Sequence, residues 1–383
     1  MKIGIVSEYY YPTLGGIQEH VYHFAMEAMA RGHDVRIITP VVTSVPDGQV
    51  NGVRPMPLIH VGVSVPLYSN GSIARVAIGH KLGKRLQQVF DHEAFDVVHV
   101  HSPLTPTLPI LAVTRSPGTT IGTLHTNFNG NLLLRLFQKK CQDYLDRLDG
   151  LIAVSPSAAR PMSEYFRADY RIIPNGIDVA QFSPDLPRLP ELDDGRFNFL
   201  WVGRMEPRNG LDRMIHAFER ACEVRDDLRL VVVGDGPLRP SYEAMVPTPL
   251  KPYVHFAGFI NSGRPGYYAS ADALCVPASI SSFGITLLEG MAAGKPIIAS
   301  DIDGFRDVMT HDREGLLIDT ADPAAFADAL VKLASDRELA AVYGRRGRET
   351  ALKYAWGDVT ERILAYYEEV RSPRPKPEAC PSV

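Results

Sequence analysis

The feature that most constrains this chain is a rhythm. Short apolar runs rich in Val, Ile and Leu are each followed by a longer stretch of helical character, down nearly the whole length. The first series is Ile3–Val6, Val35–Ile38, Val97–Val100, Ile121–Leu124, Leu151–Val154 and Arg171–Ile173. The second is Asn198–Val202, Arg229–Val233, Val254–Phe256, Ala273–Val276, Pro296–Ala299 and Gly315–Leu317. Runs this apolar suit strands covered on both faces, and strands alternating with helices form βαβ units with parallel sheets. The fold class is therefore α/β, with doubly wound, Rossmann-like sheets.

Two series imply two domains. Between them lies Ser183–Gly195, rich in proline and acidic residues, which reads as a linker. The first domain is placed at 1–185 and the second at 196–355, with a last helix at 356–371 and a proline-rich, disordered tail at 372–383. A chain of 383 residues suits two domains of roughly 150–200 residues each. Forty basic against 44 acidic residues give a formal charge of −4, which argues against nucleic acid as a partner. Four cysteines show neither a CxxC pair nor metal-ligand spacing, so they read as reduced thiols and no metal is expected. Residues 2–6 form a strand and not a signal peptide, and no apolar run approaches the roughly 20 residues that cross a bilayer. The expected location is cytoplasmic, with peripheral contact at the inner face of the cell membrane left open.

In doubly wound sheets, ligands bind beyond the carboxyl ends of the strands. The first strand leads through Ser7, Glu8 and Tyr9 to Gly15-Gly16 and a helix, where the backbone can approach a phosphate or sugar oxygen. This is not GxGxxG, so no dinucleotide fingerprint is present. The fourth apolar run ends at His125-Thr126, which faces the same edge. The second domain opens with Gly203, Arg204, Arg208 and Asn209 before a helix, a plausible diphosphate cradle, and Gly234 repeats the strand–glycine pattern. Residues Ser281–Gly294 are the most informative. Phe283 to Leu287 are expected to begin a helix with amides directed at a phosphate. Glu289 is an isolated carboxylate on an otherwise apolar helix and needs donors, met by two ribose hydroxyls or by a basic neighbour.

At these residues the chain resembles the retaining GT-B glycosyltransferases of glycosyltransferase family 4. The likeness runs through Gly15-Gly16, Ile173–Asp178, Gly203-Arg204, Ser282-Phe283-Gly284 with Glu289, and Ala292-Ala293-Gly294. It implies two domains facing across a cleft, with the last helix crossing back to the first domain. Nearest in pattern is the branch that mannosylates phosphatidylinositol: Gly15–Val21 looks like its acceptor loop, and residues 70–75 and 206–208 also match. The resemblance implies catalytic roles for His125, Arg204 and Glu289. It implies a donor site of Gly16, Gly203, Arg208, Asn209, Gly234, Ile260, Ser281, Phe283, Gly284, Ile285, Thr286, Leu287 and Glu289. Acceptor contacts would come from Tyr9, Gln18, Asn70, Arg75, His125 and Thr126. Lys81, Lys84 and Arg85 fall on a basic stretch where that branch docks on anionic membrane.

The implied reaction is metal-independent transfer of a hexose from a nucleotide sugar to an alcohol, with no cofactor. The donor is a GDP- or UDP-hexose, because Asn261-Ser262, in the turn expected to read the base, offers guanine no carboxylate. Two positions depart from the family: Asn209 stands where lysine is usual, and Ser281 where glutamate is usual. They leave open a weakly active or inactive homologue, or a nucleotide-sugar epimerase or phosphorylase of the same fold.

Overall fold

The computed structural model describes residues 1–12, 15–43, 54–69, 72–125, 135–260, 263–320 and 322–372. In the first half the order is β1 (Lys2–Val6), α1 (Gly16–Ala30), β2 (Asp34–Val41), β3 (Leu58–Ser69), β4 (Ser72–Ile78), α2 (Leu82–Glu93), β5 (Val97–His101), α3 (Leu108–Arg115), β6 (Thr119–Leu124), α4 (Gln138–Leu145), β7 (Gly150–Ala153), α5 (Pro156–Ser163) and β8 (Tyr170–Ile172). The second half continues with β9 (Phe197–Val202), α6 (Leu211–Cys222), β10 (Leu228–Val233), α7 (Arg239–Met245), β11 (Val254–Gly258), α8 (Arg264–Ser270), β12 (Ala273–Val276), α9 (Ile285–Ala292), β13 (Ile297–Ser300), α10 (Asp303–Arg306), β14 (Gly315–Ile318), α11 (Pro323–Ser335), α12 (Arg337–Leu352) and α13 (Trp356–Arg371).

The first sheet has the order β4-β3-β2-β1-β5-β6-β7-β8, parallel except for the β3–β4 hairpin, and the second β11-β10-β9-β12-β13-β14, parallel throughout. In each sheet the strand order reverses direction beside the first strand, between β1 and β5 and between β9 and β12. Those are the points where such sheets open a crevice. The strands are apolar on both sides because both sides are covered. In β9, Phe197, Phe199 and Trp201 pack into one cluster and Leu200 into the opposite one. The β3–β4 hairpin was not anticipated.

The segment 183–195 is strapped to the second domain. Leu192 is buried, the Leu189 amide donates to Ser270 Oγ at 2.7 Å, and Arg188 pairs with Asp272 at 3.2 Å. α13 lies on the first domain and buries Trp356, Val359, Ile363 and Tyr367 in that domain's core. Its seat is the segment Asn175-Gly176-Ile177. A Cβ on Gly176 would stand 2.4 Å from the Trp356 ring, so only glycine admits the indole there. The Ile177 amide donates to Tyr354 O at 2.8 Å. That resemblance segment thus holds the two halves together. Residues 373–383, most of the expected tail, lie outside the described residues.

Candidate active site

The halves meet through opposed helix ends. α1 begins after Gly15 and α9 after Gly284, and neither helix start has a side-chain cap. Gly284 has φ 86°, a conformation that glycine adopts without strain. A Cβ added to Gly16 would stand 2.7 Å from Ile285 Cδ1, so the two helix starts touch across the cleft. Such ends direct amide dipoles at whatever anion lies between them. Further struts tie the halves: Ser155 Oγ donates to Ser282 O at 2.6 Å, the Ser157 amide to Asp307 Oδ2 at 2.8 Å, and Arg160 pairs with Asp303 at 2.8 Å.

On the donor side, Gly203 and Gly234 are pressed backbone to backbone, a Cβ on Gly234 falling 1.8 Å from Gly203 O. Arg204 is exposed and pairs with Glu206 at 3.2 Å. Arg208, also exposed, donates its Nε to the other oxygen of Glu206 at 2.8 Å. Asn209 supplies no charge. Its Nδ2 donates to Arg204 O at 2.7 Å and ties down the arginine loop. Ser281 presents backbone to α10, where a Cβ on Gly304 would be 2.0 Å from Ser281 O.

Two donor-side expectations change, at the helix start and at Glu289. The helix begins at Ile285. The Leu287 amide is already taken by Gly284 O at 3.0 Å, and the Leu287 and Phe283 side chains are core, so Ile285 and Thr286 hold the leading amides. Ile260 is half-buried and packs on the same core cluster. Glu289 is not isolated: one carboxylate oxygen pairs with Arg264 at 2.8 Å and the other accepts from Tyr268 Oη. Burial raises the Glu289 carboxyl, opposed by Arg264 and the Tyr268 hydroxyl. Arg264 and Tyr268, on α8, were missed in the sequence. The charge of Arg264 also acts on Glu19 of α1. Burial works to raise the Glu19 carboxyl, but the hydrogen bond from His23, the charge of Arg264 and a hydrogen bond from Tyr11 hold it below its ordinary value.

On the acceptor side, Tyr9 Oη accepts from the Arg75 amide at 3.3 Å, which joins the β1 loop to the hairpin. Gln18 is buried and folded back, its Oε1 2.7 Å from where a Gly15 Cβ would be. Glu8, also missed, is buried and accepts from Thr107 Oγ1 at 2.6 Å and the Leu108 amide at 3.0 Å. Desolvation raises its carboxyl. His125 is half-buried and touches His101. Asn70, Thr126 and Asn261-Ser262 lie outside the described residues. Lys81, Lys84 and Arg85 are exposed on and beside α2, whose Leu82, Leu86 and Phe90 face the core.

Two Rossmann-like sheets with their strand ends opposed across a cleft, the last helix returning to the first, make this a GT-B glycosyltransferase. Residues 14–181 match the model described as Glycosyltransferase Family 4, and residues 196–336 the model described as Glycosyl transferases group 1. The chain belongs to glycosyltransferase family 4. It is 34% identical to a phosphatidyl-myo-inositol mannosyltransferase of Mycobacterium leprae, over 97% of each chain. It is 27% identical to a GDP-mannose-dependent alpha-mannosyltransferase of Mycolicibacterium smegmatis, over 97% of this chain and 98% of that one. Among solved structures, Anabaena HepE, in complex with UDP and glucose, superposes with a TM-score of 0.77 at 16% identity, over 96% of this chain and 99% of that one. Among the described residues no helix is long and apolar enough to cross a membrane, and no cluster of His, Cys, Asp or Glu would hold a metal ion.

Proposed function

We propose that the protein is a retaining mannosyltransferase that moves mannose from GDP-mannose to the inositol ring of a phospholipid. The observation that carries the transfer chemistry is the pair of uncapped, glycine-led helix starts in contact at Gly16 and Ile285, with Arg204 on the loop after β9. The inositol acceptor and the mannosyl donor are drawn from the names of the relatives, which align over nearly the whole chain. The diphosphate lies between the helix ends and Arg204, which stabilise the charge that develops on the leaving group. As the bond from the anomeric carbon to the phosphate oxygen breaks, the acceptor oxygen bonds to that carbon from the same face. The acceptor proton passes to the departing phosphate oxygen, and GDP leaves. Ribose hydroxyls use lone pairs of Glu289 that Arg264 and Tyr268 leave over, since a carboxylate accepts at about four positions. The exposed Lys81, Lys84 and Arg85 rest on anionic headgroups.

The test incubates the full chain with GDP-mannose, UDP-glucose or UDP-N-acetylglucosamine, in chelator, with vesicles with and without phosphatidylinositol. Mass spectrometry follows the lipid, and NMR reads the anomeric configuration of the product. A mannosylated inositol lipid with retained configuration is expected. Turnover with a UDP-sugar alone overturns the donor, and an inverted product overturns the mechanism. GDP release without a lipid product overturns the acceptor.

A further inference from the structure

Beneath His125 the first sheet carries a cluster of imidazoles. His99 and His101 lie two apart on β5 and so share a face. His125 follows β6 by one residue, and His20 comes from α1. His99 and His101 have ring centroids 4.4 Å apart, and His101 and His125 stack at 5.1 Å and 18°. His20 meets His101 and His125 edge-on at 5.2 and 5.0 Å. Hydrogen bonds link His99 Nε2 to Thr123 Oγ1 and Tyr367 Oη to His99 Nδ1, both at 2.6 Å. Others link His20 Nδ1 to Asn175 Oδ1 and His101 Nδ1 to His125 Nε2, both at 2.8 Å. Burial pushes His20 down to about 4 and His99 to about 3, and lowers His101 and His125 well below the ordinary value. All four rings are therefore neutral near pH 7. Each carries one N–H and one lone pair.

The His101–His125 bond admits two proton assignments. If His125 donates its Nε2–H, the proton of His101 sits on its own Nε2. That nitrogen is buried and meets no partner among the described residues. If His101 donates its Nδ1–H, the same nitrogen carries only a lone pair. Buried orphan N–H groups are the rarer and costlier arrangement. His20 follows the same rule: with Nδ1–H given to Asn175, its unpartnered Nε2 is a bare lone pair. We propose that His101 is a positioning residue that donates Nδ1–H to His125 Nε2, and thereby holds His125 as the neutral Nδ1–H tautomer, a hydrogen-bond donor on the side of the ring turned away from His101.

So held, His125 has no lone pair free to take a proton. It donates to an oxygen of the transferred sugar or the acceptor, and the acceptor proton goes to the leaving phosphate. The identity of that oxygen rests on the proposed transferase function, whereas the tautomer does not. The groups facing His125 are imidazoles on each side: His99 and His101 from β5 and His20 from α1. On α1, Glu19 and His23 flank His20 and lie 3.3 Å from each other.

The test labels histidine with ¹⁵N in the full chain, without substrate, and reads protonation of each ring nitrogen by two-bond ¹H–¹⁵N spectra. The His125 signals are assigned by their loss in His125→Gln. The expected result is His125 with protonated Nδ1 and bare Nε2, and a protonated Nε2 overturns the proposal. His101→Leu should release the tautomer, lower kcat roughly 10- to 100-fold with the donor KM little changed, and move the acid limb of kcat/KM upward, because Nε2 is then free to take a proton, while burial still holds the ring below its ordinary value. His101→Asn, whose amide restores a donor at the Nδ1 position, should recover both tautomer and acid limb. A His101→Leu protein with the wild-type tautomer and pH profile overturns it. The Nδ1–H tautomer in a protein that transfers no sugar would keep the positioning role and remove the transferase reading.

Discussion

Beneath His125 in the first domain lie buried imidazoles, an amide and a hydroxyl, His20, His99, His101, Asn175 and Tyr367, and the buried carboxyl of that half, Glu8, is held by neutral donors, Thr107 Oγ1 and the Leu108 amide. In the second domain the partners are ions. Arg264 and Glu289 are paired at 2.8 Å, with the Tyr268 hydroxyl on the other carboxylate oxygen. The same sheet order thus carries two kinds of buried polarity. The acceptor half holds dipoles that orient hydroxyls without competing for a proton. The second domain holds charge, and beside it stands the loop that the proposed function sets against a diphosphate. The two should fail under different insults, and the chain's two tryptophans report on them separately. Trp356 packs on His20 and His23, while Trp201 lies in the core of the second domain.

Acid is expected to do the most. Four histidines have pKa values below those of the unfolded chain, so the native state stays unprotonated while the unfolded state takes up protons. Their neutrality costs nothing above about pH 6.5, and stability falls as the pH drops from there toward about 4, the value for His20. Each histidine contributes about 1.4 kcal/mol per pH unit, so the cluster gives roughly 5 kcal/mol per unit. Denaturant titrations of Trp201→Phe and Trp356→Phe between pH 7.5 and 5 should show the Trp356 signal lost first. Coincident loss of both signals at every pH would erase the distinction between the halves.

Arg204→Ala should strike only the chemistry. Its pair with Glu206 is exposed and contributes under about 1 kcal/mol, so the melting temperature should hold. Loss of one preorganised charge should lower kcat by roughly 10²–10³-fold. A loss below tenfold would move the leaving-group role elsewhere.

Glu289→Gln should strike the donor half's stability, since it leaves Arg264 without its buried partner. About 3 kcal/mol is expected, a melting shift of roughly 6–12 °C. The Trp201 signal should carry it. Arg264→Met combined with Glu289→Gln should recover much of the loss, because removing both partners leaves no uncompensated charge. A double variant as unstable as the single one would show that the pair is not the cause.

The sequence made the sheets legible because both faces of their strands are apolar. All twelve expected runs correspond to strands. The hairpin was missed although Asn70-Gly71, flanked by β-branched residues and tyrosine, is a strong hairpin signal. The histidine cluster was half legible. The alternation Val97-Val98-His99-Val100-His101 places two imidazoles on one strand face, but His20 joins them only through packing of α1. Nothing local ties Arg264 to Glu289, because α8 and α9 are separated by β12 and meet only in the folded donor half. Glu289 was therefore read as isolated, and the salt bridge that satisfies it was left as the alternative. The roles expected of Asn70 and Thr126 fall outside the described residues.

The smallest expected effect tests what replaced the family's lysine. Asn209 has no charge to give, but its Nδ2 holds Arg204 O at 2.7 Å, and its own carbonyl accepts from Trp201 Nε1 at 3.2 Å. The residue therefore fixes the loop that aims the remaining arginine. A neutral hydrogen bond of this kind contributes about 0.5–1.5 kcal/mol. Asn209→Ala should thus lower kcat/KM roughly two- to tenfold, and Arg204→Ala with Asn209→Ala should add nothing to Arg204→Ala, since there is no arginine left to aim. Asn209→Lys separates the two ways of treating the diphosphate. The cation is gained as the tie is lost, so an unchanged rate means they compensate. A rise above tenfold would mean that the donor half of this chain is working short of a charge it can use.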